Sequence, residues 1–438
     1  MRSSYALTLL ATVFFSTSTE ARTLFVSLDG DGTVGESWET AFTAIGDAVV
    51  IAVTGDEVWV RHGTYNEAIF LATPILIMGG FQGDEGVRRE TVENETVMIP
   101  EGLTVPAVQI ASAVTIDGFT LRDGERAGMT IHSDALAIVR NCRFKNNVGR
   151  LPQGGFGGGV VVFGVEAHFL KCTFTNNRAL DSGGGIEITR EIGTPVGSDV
   201  TMENCFIAGN RGRSGAGVSC IDSDLRMRSC VINGNTVPDS SGGGGLSIGG
   251  SGVTMVENCL IYENSGGETG EQVSLGLEDV PVVFDSCTII GGEGEILWGT
   301  LPPVFRNCIL WGSTSLIGGG LGSEDDPDVS YTCIQGGHEG IGNIMDDPLF
   351  IDEVGNDYHL QPASPCLDTA DTEGPSDDLD GNPRPRDLFG VGRDGPGAFD
   401  MGAYEFQPPS ADLNGDGETN MLDLLILDRQ WYSVSGVR

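Results

Sequence analysis

Along most of this chain, apolar positions recur in short period-two bursts rather than in helical stripes. Runs such as Ile186-Glu187-Ile188 alternate apolar and polar, and glycine-rich breaks separate them. The bursts repeat. Cys142 to Asn147, Cys172 to Asn177, Cys205 to Asn210, Cys230 to Asn235 and Cys259 to Asn264 share the pattern Cys-x-(Phe/Ile)-x-x-Asn. Cys287, Cys308 and Cys333 keep only the cysteine, and Phe119 takes its place one unit earlier. Successive cysteines lie 30, 33, 25, 29, 28, 21 and 25 residues apart. A second element follows each asparagine in the middle units: Gly157-Gly158-Gly159-Val160, Gly183-Gly184-Gly185-Ile186, Gly215-Ala216-Gly217-Val218 and Gly243-Gly244-Gly245-Leu246.

Repeats of this length are supersecondary units that bury their apolar faces only by stacking. Helical repeats would need amphipathic stretches of about ten residues, for which the glycine breaks leave no room. The expected fold is therefore all-β: a single-stranded, right-handed parallel β-helix. The hand follows by extension of the crossover rule. Coils stack about 4.8 Å apart, so ten or so make a rod on the order of 50 Å long. Asn and Gly at a fixed place in each coil suit a tight left-handed turn, and stacked asparagines can hydrogen-bond along the rod. A rod end exposes strand edges that need a cover. The amphipathic stretch Ser37 to Val53, with Ser37 as N-cap and Trp38, Phe42, Ile45 and Val49 as its stripe, is expected to be a capping helix. Val58-Trp59-Val60, Ile75-Leu76-Ile77 and Val97-Met98-Ile99 are expected to be early strands.

If each cysteine and the residue two beyond it point inward, the residues one and three beyond point out. In the early coils that outer column reads Arg143, Lys145, Thr173 and Thr175. Further on it reads Phe206, Val231, Leu260, Tyr262, Ile290, Ile309 and Trp311. So long an apolar strip needs a cover. The expected cover is the chain's own residues 340–406, with a glycan or partner on Phe206, Leu260, Tyr262, Ile309 and Trp311 as the alternative.

The N-terminus adds a compartment. Arg2, the apolar run Ala6 to Phe15 and the small residues up to Ala21 have the form of a secretory signal peptide. Ten apolar residues are too few to span a bilayer, and no later stretch is longer, so a secreted or cell-surface protein without a transmembrane segment is expected. The net charge of -38 repels nucleic acid and anionic membranes. An acidic polysaccharide would need a cation or a local basic patch.

Phe144-Lys145-Asn146-Asn147 and Phe174-Thr175-Asn176-Asn177, paired with the glycine-led strands, resemble the repeats of polymorphic outer-membrane proteins. Asp347-Pro348-Leu349-Phe350, Asp357-Tyr358-His359-Leu360, Asp380-Gly381-Asn382-Pro383-Arg384 and Met401-Gly402-Ala403-Tyr404-Glu405 resemble the choice-of-anchor Q segment. That segment ends many bacterial surface β-helices. The likeness implies a β-helix on a cell surface; it does not imply an activity.

Near the end, Asp412, Asn414, Asp416, Asn420 and Asp423 offer side-chain oxygens at positions 1, 3, 5, 9 and 12 of a loop with Gly417 at position 6. A hard cation takes six to eight oxygens around such a turn. The loop resembles one repeat of a type I dockerin. That likeness implies calcium held by Asp412, Asn414, Asp416, Asn420 and Asp423 with the Glu418 carbonyl, in a small EF-hand-like tail. Dockerins use two such repeats to dock a cohesin; here one is present, which points to an anchoring tail and puts a cohesin-like partner in doubt. Asp378, Asp380 and Asn382, and Asp29 with Asp31, read as Asp-Gly turns, with a second cation site as the alternative for each. The expected organisation is a signal peptide (1–21), an N-terminal cap (22–57), the parallel β-helix (58–340), the anchor-Q-like segment (341–406) and the calcium-loop tail (407–438).

Eight of the ten cysteines share one coil position. Parallel, in-register side chains do not present the geometry of a disulfide, so buried thiols are expected. Cys220 replaces an inward aliphatic residue equivalent to Val162 and Ile188, and Cys366 stands alone. Parallel β-helices such as pectate lyases and polygalacturonases act on polysaccharides through carboxylate clusters. The outward column of the glycine-led strands reads Val161, Glu187, Ser219 and Ser247, which is no such cluster, and Glu187 reads as a solvated strand carboxylate, with a catalytic role as the alternative. A non-catalytic adhesion or glycan-binding protein is the first reading; a polysaccharide lyase or glycoside hydrolase is the second.

Calorimetry on residues 405–438 should register calcium uptake at millimolar calcium, and Asp412→Ala or Asp416→Ala should abolish it. A wild-type segment that takes up no calcium removes the site.

Overall fold

The computed structural model describes residues 21–407 except 85–93, 101, 103, 133–135, 151–156, 192, 195, 239–241, 267–270, 279–281, 293–295, 300–301, 314–316, 319–326, 388–390 and 393–396. Within them the chain winds as a three-sided solenoid. One coil runs through Glu166–Leu170, Thr173–Thr175 and Ile186–Thr189. These three sides belong to parallel sheets of 12, 11 and 10 strands, here called the first, second and third sheets. Alternation sorts the side chains. Ala167, Phe169, Phe174, Ile186 and Ile188 all point into one continuous core.

The expected early strands are present as Glu57–Arg61, Leu76–Phe81 and Thr96–Met98. The cap differs. The helix is only Ile45–Ile51, and Ser37 lies in a preceding turn with Thr40. Its N-terminus is served from a distance, by the Glu67 carboxylate accepting from the N–H groups of Ile45 (2.8 Å) and Gly46 (2.9 Å). Trp38 and Phe42 are outside it. Trp38 packs edge-on to Phe25, and Phe42 bridges to Val26 as an extension of the first sheet. A remote carboxylate and an aromatic edge contact did the work that helical periodicity had been assigned.

In the cysteine-bearing coils, each corner between the first and second sheets is one residue in the left-handed region. Asn141, Lys171, Asn204, Ser229, Asn258, Ser286 and Asn307 have φ between 51° and 56° and each precedes a cysteine. The cysteines that follow, Cys142 to Cys308, enter the core as expected. Their thiols donate to a carbonyl of their own coil, as Cys172 does to Leu170 (3.5 Å) and Cys259 to Glu257 (3.2 Å). Phe119 fills the same rung, since Arg143 pairs with Thr120. Cys220 pairs with Ile188 in the third sheet and points inward. Cys333 is the correction. It pairs with Ile309, not Cys308, so it stands one residue off the rung. Thr332 takes the place, its hydroxyl accepting the Cys308 N–H at 3.3 Å.

The asparagine of each repeat is fully buried and forms a ladder. Nδ2 of Asn147, Asn177, Asn210 and Asn235 donates to Oδ1 of the next asparagine at 2.9–3.0 Å. The same Oδ1 accepts the backbone N–H of the asparagine before it, as Asn210 Oδ1 does from Asn177 N at 2.9 Å. The second amide hydrogen goes to a carbonyl of the preceding coil, for Asn210 that of Phe174 at 2.8 Å. Gln272 ends the series, its Oε1 accepting from Asn264 Nδ2 at 2.8 Å. The glycine element faces this ladder. A Cβ on Gly185 would stand 2.5 Å from the Gly217 carbonyl and 3.2 Å from Asn210 Nδ2. Amide and glycine are thus two halves of one corner, which is why they occur together in the sequence.

Asn210→Ala strands the Asn177 N–H, the Phe174 carbonyl and the Asn235 amide environment in a dry corner, at about 1–3 kcal/mol for each unmet group. Urea unfolding should show a loss of at least about 2 kcal/mol. Asn176→Gly, at a left-handed corner with φ 55°, should change the midpoint little.

Candidate functional sites

The outer strip is an internal interface over most of its length. After the last coil, an antiparallel hairpin (Phe350–Asp352 with Asp357–Leu360) leads into extended chain that lies back across the second sheet. Leu260, Ile290, Ile309 and Cys333 are buried against Phe350, Tyr358, Leu360, Leu367, Phe399, Met401 and Ala403, with Val231, Tyr262 and Trp311 packed at the margin. Tyr262 meets Tyr358 edge-on at 5.3 Å between centroids. The expected cover is present, and Leu260 and Ile309 are closed to a ligand. Of the five proposed ligand residues Phe206 is the exposed one, at 39%, while Tyr262 and Trp311 are half-buried.

Polar contacts fix the cover's position. The left-handed corner asparagines are its receptors. Asn307 Oδ1 accepts Asp371 N at 2.7 Å, and its Nδ2 donates to the Glu373 carbonyl. Asn258 Nδ2 donates to the Asp377 carbonyl at 3.0 Å. Arg384 is wholly buried at the centre: Nε on Glu405 at 2.9 Å, Nη1 on Asn258 Oδ1 and the Gly402 carbonyl, Nη2 on the Asp400 carbonyl at 2.6 Å. Burial pushes the Asp400 carboxyl up to about 7, with the neighbouring Glu405 adding to it. Nothing in the repeat pattern marked Arg384. A second feature invisible to the repeat is His359, held by Asp357 (Nδ1, 2.6 Å) and Asp380 (Nε2, 2.7 Å) and tilted over Tyr404. Burial lowers its pKa, but the two carboxylates outweigh that and raise it. Both ring nitrogens are engaged, so His359 is a clamp within the cover rather than a free base. The Asp357-x-His359 spacing on one strand face was the available signal.

The uncovered half of the same face is different in kind. Arg143, Thr173 and Phe206 form one outward column, and Lys145, Thr175 and Ala208 the next. Lys171 stands at the corner on one side; Arg178 and Arg211, stacked on adjacent coils, stand at the corner on the other. Lys145, Lys171, Arg178 and Arg211 are exposed. Among the described residues none of the four has an ion pair. The arginines of the first sheet contrast with them: Arg140, Arg226 and Arg306 sit 2.6–2.7 Å from Asp117, Asp199 and Asp285. Among its described residues, a chain of net charge -38 thus carries an open cationic strip.

Glu187 is not solvated. It is 1% exposed, beneath the turn of Gly183, whose Cβ would lie 2.7 Å from the Glu187 side chain. Its carboxyl faces Ser182 and Ser219, Oε2 has no hydrogen-bond partner, and burial pushes its pKa up to about 8. A sequence cannot show that a turn folds over an outward column. Asp378 is a turn cap, accepting from Asn382 N at 2.7 Å; Asp29 pairs with Arg61 and Asp31 accepts from Thr33. The calcium-loop residues Asp412, Asn414, Asp416, Glu418, Asn420 and Asp423 lie outside the described residues. No group of three or more metal-binding side chains occurs among the described residues, and no helix there is long and apolar enough to cross a membrane.

The family model described as right handed beta helix region matches residues 107–261 and 157–341. Among solved structures, pectate lyase Pel9A is similar at TM-score 0.55 and 11% identity, over 89% of this chain and 97% of that one. A rhamnogalacturonan lyase aligns at TM-score 0.41 and 13% identity over 76% and 91% of the two chains. Pectin methylesterase from Aspergillus niger aligns at TM-score 0.34 and 16% identity over 71% and 92%. The likeness to the pectate lyase is one of fold. No curated protein matches.

Because the folded Glu187 carboxyl titrates at about 8 against an unfolded value near 4.5, its burial favours the fold fully below about pH 4.5. That contribution is lost as pH rises through 8. Glu187→Gln should therefore raise the urea midpoint at pH 8 and leave it unchanged at pH 4. Equal midpoints at both pH values would contradict the burial.

Proposed function

The chain belongs to the right-handed β-helix family, and from that premise we propose that it is a secreted, non-catalytic surface protein that binds an anionic, extended glycan along the uncovered half of its second sheet. The observation that carries this reading is the strip itself. Lys145, Lys171, Arg178 and Arg211 are exposed and without ion pairs among the described residues, while Phe206 offers an open ring at its end. Cations without partners on an acidic protein hold a polyanion by charge. A flat strand face with a repeat of about 4.8 Å suits an extended chain, and an exposed ring suits a sugar face.

The same reading takes residues 341–406 as an anchor-Q-like segment and residues 407–438 as a calcium-loaded anchoring tail, by their sequence resemblance alone. A cell-surface component is then the partner.

The test is an array of acidic and neutral polysaccharides, probed with the full chain in calcium. Uronate-rich or sulfated chains should be retained, with affinity falling as salt rises. Lys145→Glu/Lys171→Glu should weaken retention at least tenfold, about 1.4 kcal/mol, and Phe206→Ala should weaken it less. Equal retention of neutral glycans, or release of unsaturated or reducing ends, would overturn the reading, the latter in favour of a lyase or hydrolase.

A further inference from the structure

We propose that Cys333 and Cys366 are a disulfide site that staples the covering segment to the last coil of the rod. The argument begins with where the other cysteines point. From Cys142 to Cys308 each thiol enters the core at one rung, parallel to its neighbours. Adjacent rungs are near enough for a bond, but side chains that leave their strands in the same direction do not reach the sulfur–sulfur torsion a disulfide needs. These thiols donate to carbonyls of their own coil, as Cys230 does to Arg228 at 3.3 Å, whereas the Cys333 thiol donates to the Asp346 carbonyl at 3.3 Å, beyond its own coil. Cys220 lies apart from them, inside the third sheet.

Cys333 breaks the series. Thr332 occupies its rung, and Cys333 pairs with Ile309, whose side chain belongs to the outer strip. It is fully buried all the same, because the cover lies on it. Cys366 belongs to the cover and is also fully buried, in the same cluster as Cys333. Its backbone is held on both sides: Cys366 N donates to Ser364 Oγ at 3.1 Å, and its carbonyl accepts Met401 N at 3.0 Å. Two cysteines from different elements therefore approach across an interface from opposite sides, the arrangement the ladder lacks. The cover residues beside Cys366 lie on the strand beside Cys333: Met401 holds the Cys366 carbonyl, and a Cβ on the adjoining Gly402 would stand 2.8 Å from Ile309 Cδ1, the residue with which Cys333 pairs. Both are free thiols in this structure.

The chemistry is an exchange with an external oxidant, the disulfide of an export-compartment thiol oxidoreductase. A thiolate attacks that disulfide to give a mixed disulfide, and the second thiolate displaces it. Two protons and two electrons leave the pair, one sulfur–sulfur bond forms, and the oxidant departs as a dithiol. Oxidation in the cell rests on the secretion reading; the pairing itself does not.

The full chain, exported and purified without reductant, is denatured, alkylated, digested and mapped by mass spectrometry. The expected result is a single cross-link, Cys333 to Cys366, with the other eight cysteines alkylated. A parallel sample produced in a reducing compartment is incubated with oxidised glutathione before mapping. A cross-link in the glutathione sample alone upholds the pairing and removes the secretion reading. Ten free thiols in both, or a bond such as Cys308 to Cys333, overturns the pairing. Limited proteolysis supplies a readout that needs no variant: reductant should speed cleavage between residues 350 and 404 in oxidised wild type. In Cys333→Ala/Cys366→Ala it should change nothing.

Discussion

A stacked coil must satisfy the polar groups at its corners without water, and the buried asparagine ladder is the arrangement on which the rest of this structure depends. Each amide has two acceptor sites and two donor hydrogens, and each interior rung uses all four, so a dry corner carries no orphan. Satisfaction is possible only when consecutive coils sit in register. The ladder therefore sets the register of all three sheets from one corner, and the cysteine, phenylalanine and glycine positions follow from it. Buried polar networks of this kind specify one alignment because every other alignment leaves amides unmet.

Beyond Gln272 the ladder stops, and the rod changes its means of support. The cover begins a little before that point, over the coils of Val231 and Leu260 that still carry Asn235 and Asn264, and continues over the coils that lack the ladder. There the left-handed corner asparagines turn outward in function, with Asn258 and Asn307 binding the returning chain. The apolar strip and the buried Arg384 supply the rest. Removing one partner of so deeply buried a pair costs far more than the pair contributes, so Arg384 with Glu405 makes the cover's seat specific rather than merely strong. The cover also occupies the face whose exposure would otherwise invite association.

Much of this was legible in the sequence because repetition converts weak local signals into a register. Cys-x-Phe-x-x-Asn placed the second-sheet strands, their inward and outward faces, and the strip that residues 340–406 cover. Legibility failed where the period failed. Cys333 looks like another rung, but Tyr331 takes the left-handed corner and Thr332 the rung, a shift no spacing count reveals. Ser37 looks like a cap, yet the carboxylate that serves the helix comes from Glu67, distant in sequence. Glu187 occupies an outward column, and only a turn folding over it makes it dry. The cationic strip was half visible: Arg143 and Lys145 were read as water-facing. That Lys145, Lys171, Arg178 and Arg211 are without ion pairs among the described residues depends on how neighbouring coils stack.

The point at which the cover begins sets how the rod's length can evolve. In the laddered half each coil presents the next with the same amide and the same glycine, so duplicating or deleting one such unit leaves both new neighbours matched. Under the cover, an added coil would carry Asn307 away from Asn258 by one stacking step, about 4.8 Å, while the returning chain that grips both keeps its length. Descendants of this sequence should differ in coil number among the laddered coils ahead of Arg228, where the cover's contacts begin, and agree in it afterwards.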